Sequence, residues 1–88
     1  MSGSTPLFSV VIKLFAAYQD IIGTSEQTLE IEPGTTVAQV RDRLIAEYPE
    51  LEEWRSQTRF GVNLEFVEAD TVLQSGDELV LIPPVSGG

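Results

Sequence analysis

The segment 78–82, Glu-Leu-Val-Leu-Ile, most constrains how this chain can fold, because it is apolar on both faces of an extended strand. Its two alternating rows are Leu79 with Leu81 and Val80 with Ile82. A strand of this kind is typical of the centre of a sheet, where both faces are covered. Pro83 and Pro84 end the segment, since neither can donate a backbone hydrogen bond to a neighbouring strand. We therefore expect a sheet built around the last strand.

A first strand is predicted from Phe8 to Phe15, where apolar and β-branched residues alternate with a period of two. One face would carry Phe8, Val10, Ile12 and Leu14, and the other Ser9, Val11, Lys13 and Phe15. A second strand is predicted around Leu29 and Ile31, which alternate with polar residues up to Pro33-Gly34. Because the connection contains Gly23-Thr24-Ser25, we expect an antiparallel hairpin with a wide loop.

The helix signal begins at Thr36, which can cap a first turn, with Gln39 three residues later as the second half of a capping box. The apolar face of this helix recurs at spacings of three and four residues: Val37, Val40, Leu44 and Tyr48. Pro49 ends the helix because it disfavours helical geometry at the residue before it. The acidic stretch from Glu50 to Thr58 is interpreted as a loop with a short helical turn, in which Trp54 anchors local packing.

The remaining elements are short. A pair of small strands is predicted between Phe60 and Val67, with Asn63 as the turn former. Gln74-Ser75-Gly76-Asp77 predicts a turn in which Asp77 caps its own backbone rather than forming a catalytic pair with Glu78.

The order strand, strand, helix, short strands, strand fits an α+β architecture with one main helix on one face of a mixed sheet. This is the β-grasp order of ubiquitin-like proteins, with the first and last strands side by side at the centre. We expect a disordered N-terminus over residues 1–6, a β-grasp domain over 7–84 and a tail over 85–88. The expected core consists of Val10, Ile12, Leu14, Leu29, Ile31, Val37, Val40, Leu44 and Leu81.

Composition removes whole classes of chemistry. The 88 residues include no Cys and no His, which excludes thiol nucleophiles, disulfides, Cys/His zinc sites and histidine bases. Five Lys plus Arg stand against 14 Asp plus Glu, and the net charge of −9 argues against nucleic acid and anionic membranes as partners. No apolar run reaches the length of a membrane span, and the opening residues lack signal-peptide features, so a cytoplasmic protein is expected.

The final residues offer a different chemistry. A carboxylate on Gly88 would be unreactive as such, but adenylation by ATP converts it into a mixed anhydride that a sulfur nucleophile can attack. Glycines have no Cβ, so Gly87-Gly88 can pass through a narrow channel. The six residues from Pro83 to Gly88 reach about 20 Å when extended, at about 3.3 Å per residue. Such a tail can enter a partner's pocket while the domain docks outside.

Three stretches of the chain resemble one known family. They are Leu14-Phe15-Ala16 with Gly23, then Val62-Asn63 with Glu65, Val67, Asp70 and Leu73, then Gly76-Asp77-Glu78-Leu79 with Pro83-Pro84-Val85-Ser86-Gly87-Gly88. The last stretch is the specific one, because a Gly-Asp-Glu turn, a final strand and a Pro-Pro-Val-x-Gly-Gly ending are hard to reach by accident. On these residues the chain resembles the small subunits of molybdopterin synthase, the MoaD branch of the MoaD/ThiS sulfur carriers. It departs from them at Gln19, where Arg is usual, and at Leu81 and Ile82, which replace aromatics.

The resemblance implies a subunit of an enzyme whose acid and base groups belong to a large catalytic subunit. An adenylating enzyme of the ubiquitin-activating type would use ATP to activate Gly88, and a sulfurtransferase would then give the thiocarboxylate. The tail residues Pro84, Val85, Ser86 and Gly87 would enter the large subunit, in a heterotetramer of two small and two large subunits. There the sulfur would pass to cyclic pyranopterin monophosphate and build the molybdopterin dithiolene. No metal or cofactor is expected on this chain.

The sheet face away from the helix is predicted to carry Val11, Phe15, Val80 and Ile82. Phe15, Val80 and Ile82 are interpreted as a partner interface, because contiguous exposed apolar area usually marks one. Coverage of these residues by loops is the alternative.

Other functions remain open on the sequence. One is a sulfur carrier for thiamine thiazole synthesis or tRNA thiolation, although Pro-Pro-Val before Ser-Gly-Gly favours molybdopterin synthesis. Another is a ubiquitin-like modifier conjugated to lysines, and a third is an interaction domain with an inert tail.

Overall fold

A parallel pair of strands forms the centre of the sheet in the computed structural model, which describes residues 6–83 apart from the side chains of Ala16 and Ala17. The described residues form strands β1 (Phe8–Leu14), β2 (Glu26–Ile31), β3 (Arg59–Val62), β4 (Glu65–Val67) and β5 (Glu78–Ile82), helices α1 (Ala16–Ile22) and α2 (Val37–Glu47), and a 3₁₀ helix (Pro49–Gln57). The strand order is β2-β1-β5-β3-β4. Strand β5 runs parallel to β1, with Leu14 opposite Leu81, and antiparallel to β3. The predicted β-grasp order, with the first and last strands side by side, is confirmed.

The connection between β1 and β2 differs from the expected wide loop. The two strands form the predicted antiparallel pair, but β1 ends at Leu14 and the seven-residue helix α1 fills most of the connection. Phe15 precedes this helix and provides no side-chain cap, so α1 lacks a start signal of the kind that Thr36 gives α2. The helix ends at Gly23, which adopts a left-handed conformation (φ 92°) and donates its N–H to the Gln19 carbonyl. A helix this short depends on tertiary packing, which sequence periodicity does not report.

Helix α2 begins as the sequence predicts. The Thr36 hydroxyl accepts a hydrogen bond from the Gln39 N–H (3.2 Å), and the Gln39 side chain accepts one from the Thr36 N–H (2.8 Å). This reciprocal capping box satisfies two backbone donors that the helix itself leaves without partners. The helix buries Val37, Val40, Leu44 and Ile45 against the sheet. It ends at Glu47, before Pro49.

The stretch after α2 is more regular than predicted, because Pro49–Gln57 is a 3₁₀ helix where the sequence indicated a loop with one short turn. Trp54 packs edge-on against the buried ring of Tyr18, with ring centroids 5.9 Å apart, which confirms its role as a packing anchor. The Tyr18 hydroxyl bonds to that of Thr58, which in turn donates to the Trp54 carbonyl (2.8 Å). Burial raises the pKa of the Tyr18 phenol. These contacts join α1 to the 3₁₀ helix and to the start of β3.

The core lies between the sheet and the helical layer. Of the nine predicted core residues, all are buried except Leu29, which is partly buried and packs against the others. The elements that sequence periodicity described least well add Tyr18, Leu51, Phe60 and Leu73 to the core. Within residues 6–83, no helix is long and apolar enough to cross a membrane.

We expect Leu44→Ala to lower the free energy of unfolding by about 2–5 kcal/mol, the range for truncating a buried leucine. Leu44 is 1% exposed and faces the sheet. Leu64→Ala is the matched control, because Leu64 is 91% exposed and its truncation should change stability by less than about 0.5 kcal/mol. Urea denaturation followed by circular dichroism measures both. Equal effects of the two substitutions would contradict the assigned core.

Candidate functional site

Strand β5 leads directly into Pro83, the last described residue. The residues predicted to react or to insert into a partner, Pro84, Val85, Ser86, Gly87 and Gly88, lie outside the described residues. The structure does establish where this segment leaves the domain, because Ile82 is held opposite Arg59 of β3 in the middle of the sheet. The tail therefore starts from a fixed point on the domain.

The sheet face opposite α2 carries apolar side chains close to that point. Leu79 and Leu81 of β5 are buried on the helix side, whereas Val80 and Ile82 are half-buried on the other side. Phe15 continues β1 by one residue in extended conformation (φ −126°, ψ 157°), so strand alternation places it on the same outer face. Its side chain is 52% exposed. All three residues predicted as a partner interface thus lie on the face that the helices leave open.

The β3–β4 hairpin adds apolar residues that the sequence analysis did not assign to this face. Leu64 is 91% exposed and Phe66 is 77% exposed. Phe66 lies opposite Gly61, which lies opposite Val80, so the three residues form one row across the sheet. Because Gly61 has no side chain, a depression of about 160 Å³ forms between Phe66 and Val80. The available sequence signal was an aromatic residue, Phe66, in a short edge strand, with Glu65 directly before it and Glu68 two positions after it.

These side chains together form a surface that we call the outer patch: Phe15, Leu64, Phe66, Val80 and Ile82. Exposed apolar area of this kind is typical of sites that bind another protein. All five side chains of the outer patch are apolar, so the patch can contribute hydrophobic contact.

Lys13 borders the outer patch on β1, opposite Val80. Its ammonium lies 2.7 Å from a Glu26 carboxylate oxygen and 3.9 Å from one of Glu78. The hydrogen bond with Glu26 raises the pKa of Lys13 above its usual value. Lys13 is therefore held in its charged, paired form and is not suited to act as a base.

The turn before β5 contains adjacent acidic residues, and the structure gives Asp77 a structural role. One Asp77 carboxylate oxygen accepts from the Gln74 N–H (2.8 Å), and the other accepts from the Asn63 side-chain amide (2.9 Å). The Asn63 side chain in turn accepts from the Glu78 N–H (3.1 Å). The prediction that Asp77 caps its own turn is confirmed. These bonds also attach the β3–β4 hairpin to the start of β5 and so hold the two sides of the outer patch together.

Within residues 6–83, no group of three or more acidic side chains is placed to hold a metal ion. What the described part of the chain offers is a rigid sheet, an apolar outer patch and a tail that starts beside it. Together with the strand order, these features define a ubiquitin-like β-grasp protein. The chain belongs to the ThiS family, whose model matches residues 12–88.

Known relatives agree with this assignment. A protein from Arabidopsis thaliana named molybdopterin synthase sulfur carrier subunit is 34% identical over 87 residues, which cover 99% of this chain and 91% of the relative. The crystal structure of the Haloferax volcanii protein SAMP1, a small archaeal modifier protein, is similar with a TM-score of 0.73 and 30% identity, covering 91% of this chain and 99% of that one. A chain in the complex of subunits 1 and 2 of molybdopterin-converting factor from Helicobacter pylori is also similar, with a TM-score of 0.58 and 26% identity. The match covers 92% of this chain and 100% of that one.

We expect Asp77→Ala to lower the free energy of unfolding by about 0.5–1.5 kcal/mol, because it removes the acceptor of the hydrogen bonds from the Gln74 N–H and the Asn63 amide, both of which remain accessible to water. Asp70→Ala removes the same charge from an exposed residue whose side chain makes no hydrogen bond with the rest of residues 6–83, and should be nearly neutral. Thermal or urea unfolding measures the difference. A cost for Asp77→Ala no larger than that of the control would show that the turn does not depend on this carboxylate.

Proposed function

We propose that this chain is the sulfur carrier subunit of a molybdopterin synthase. The observation that carries the proposal is the similarity of nearly the whole chain to a molybdopterin synthase sulfur carrier subunit. The match to the ThiS family supports it, because this match extends to residue 88 and so includes the Pro-Pro-Val-Ser-Gly-Gly segment. The geometry is consistent with it, since β5 delivers this segment to the edge of the outer patch.

In the proposed reaction, a carboxylate on Gly88 is the reactive group. ATP forms a mixed anhydride with this carboxylate on an adenylating enzyme of the ubiquitin-activating type, and pyrophosphate leaves. A sulfur donor then displaces AMP to give a thiocarboxylate. The thiocarboxylate donates its sulfur to cyclic pyranopterin monophosphate. The chain has no Cys or His, so we assign the acid–base steps to its partners.

The proposed partner is a large catalytic subunit, in a heterotetramer of two small and two large subunits. Support comes from the Helicobacter pylori complex, in which the similar chain is part of an assembly of two different subunits. The outer patch would provide the docking area, and Pro84, Val85, Ser86 and Gly87 would carry Gly88 into the partner's active site. Apolar contact at the patch would supply most of the affinity, because this contribution scales with buried area.

A second candidate is a protein modifier that is conjugated to lysines through Gly88. The similarity to the small archaeal modifier protein of Haloferax volcanii favours it. Both candidates begin with an adenylated carboxylate and differ in the next step. A sulfur nucleophile gives a thiocarboxylate on the carrier, whereas a lysine amine gives an amide bond to a second protein.

We expect deletion of Gly88, or addition of one residue after it, to abolish sulfur transfer while leaving the fold intact. The reason is that the reactive carboxylate must reach a fixed point in the partner. Intact mass spectrometry after incubation with ATP, the adenylating enzyme and a sulfur source should show one oxygen replaced by sulfur in the wild-type chain only. Deletion of Ser2 is the control, because it shortens the chain equally at the other end.

Full sulfur transfer by either Gly88 variant would contradict the carrier proposal. Conjugates of the wild-type chain to lysines of other proteins, without a thiocarboxylate product, would favour the modifier.

We expect Phe15→Ala to weaken binding to the large subunit by more than about 1 kcal/mol, as loss of an aromatic anchor does. Truncation of Ser86-Gly87-Gly88 should leave docking largely intact and end the chemistry, since the glycines bury little area. Isothermal titration calorimetry with the large subunit measures both effects.

Leu7→Ala is the matched control for the Phe15 substitution. Leu7 is 53% exposed, close to the value for Phe15, but it lies at the other end of β1, beside α2. If truncating the tail abolished binding and Phe15→Ala did not, the tail and not the outer patch would be the anchor.

A further inference from the structure

The five basic side chains of this acidic protein differ in whether they have a hydrogen-bond or ion-pair partner within residues 6–83. Four have partners: Lys13 pairs with Glu26 (2.7 Å), Arg41 with Asp42 (3.0 Å), Arg55 with Glu52 (2.8 Å), and Arg43 donates to the Glu30 carbonyl (2.9 Å). The side chain of Arg59 makes no ion pair and no hydrogen bond with the rest of residues 6–83. Fourteen acidic residues are present in the chain, so the lack of a partner here is a matter of position rather than supply.

Arg59 lies beside the point where the tail begins, after Pro83. It is the first residue of β3 and is directly opposite Ile82, the residue before Pro83. Its neighbour Phe60 is buried on the helix side, so strand alternation places Arg59 on the outer face. There it lines a cleft of about 700 Å³, together with Phe66 and Pro83. A guanidinium whose donors have no partner within residues 6–83 thus lies between the outer patch and Pro83.

The cleft combines two kinds of surface. Phe66, Ile82 and Pro83 supply apolar walls, and Ser56 and Gln57 supply polar groups beside the Arg59 cation. A carboxylate flanked by apolar atoms complements such a cleft, because a guanidinium presents paired donors that match two carboxylate oxygens.

A protein that binds the residues after Pro83 must also contact Arg59, because Arg59 lies next to Pro83. A partner that covers Ile82 and Phe66 and accepts the residues after Pro83 must also cover Arg59. Burying a guanidinium without a partner is strongly unfavourable, so the partner surface must present an acceptor at this point. The rest of the chain is acidic and favours a basic partner surface. An acidic group opposite Arg59 would therefore be an exception that sets the orientation of the docked domain.

We propose that Arg59 is a recognition residue, and that its guanidinium binds an aspartate or glutamate carboxylate of the large subunit in the cleft beside Pro83. The inference rests on the proposed function, because it needs a partner that accepts the tail. It adds a charged, orienting contact to the apolar docking described above.

The test compares Arg59→Gln with Arg43→Gln in titrations against the large subunit from the same organism. Both substitutions remove one positive charge, but Arg43 lies on α2, away from the outer face. Arg59→Gln should raise the Kd more than about tenfold, as loss of one member of a buried charge pair does, whereas Arg43→Gln should change it less than about twofold. Thermal unfolding of each variant establishes that the fold is retained.

Two further variants separate charge from packing. Arg59→Lys keeps the charge and should retain much of the affinity, whereas Arg59→Met keeps the apolar stem alone and should bind as weakly as Arg59→Gln. In a double-mutant cycle, Ala substitution of one Asp or Glu of the large subunit should weaken wild-type binding and have little further effect on Arg59→Gln.

The outcomes distinguish this inference from the function on which it rests. Wild-type affinity for Arg59→Gln, with normal binding of the wild-type chain, would overturn the inference and leave the proposed function standing. Tighter binding by Arg59→Gln would show that Arg59 holds the chain's own tail and would also overturn it. Tight binding of Arg59→Met to the large subunit would show that Arg59 contributes through its apolar stem and not through its charge, and would overturn the inference. No binding of the wild-type chain would overturn the proposed function and the inference together.

Discussion

The parallel pairing of β1 with β5 is the interaction on which the rest of the structure depends. It brings the last strand to the centre of the sheet, between β1 and β3. Two parallel neighbours cannot be joined by a tight turn, so the chain between them must cross over the sheet. Helix α2 and the 3₁₀ helix lie within that connection. The consequence for function is the starting point of the tail. The segment after Pro83 follows the central strand of the sheet and not an edge strand.

The two faces of that sheet have opposite roles. On the helix side, Leu79 and Leu81 are completely buried, and they belong to the core on which the stability of so small a domain depends. On the other side, Phe66 and Phe15 remain largely or half exposed, although their burial would add hydrophobic stabilisation. In the proposed complex, a partner subunit would cover these side chains. The Asp77–Asn63 hydrogen bond and the bond from the Glu78 N–H to Asn63 connect the β3–β4 hairpin to β5, and a surface that is ordered before binding loses less conformational freedom when it binds.

Charged and apolar side chains both surround the place where the tail begins, at Pro83. The net charge of −9 favours approach to a basic surface, and this long-range effect needs no particular residue. Close to the tail, the arrangement becomes specific. Lys13 is paired with Glu26 on one side of the outer patch, whereas the Arg59 side chain on the other side has no partner in the described part of the chain. Pro83, where the tail begins, thus lies between the apolar outer patch and the Arg59 cation. Together they can define both the position and the orientation of a docked partner.

The elements with local sequence signals were predictable before the structure was known. The capping box at Thr36, the alternation of β1 and the doubly apolar β5 each depend on neighbouring residues, and all three are found where they were predicted. Helix α1 was not predicted, because it has no capping side chain and is stabilised by the packing of Tyr18 against Trp54, 36 positions away in the sequence. The outer patch was predicted only in part. Leu64 and Phe66 join Val80 through the register of β3 with β4 and β5, and Arg59 meets Ile82 in the same way. The contacts between β3 and β5 were decided by tertiary structure, because these strands are separated in the sequence by β4 and the turn before β5. No turn of their own fixes their register, which depends on the faces that they bury in the packed sheet.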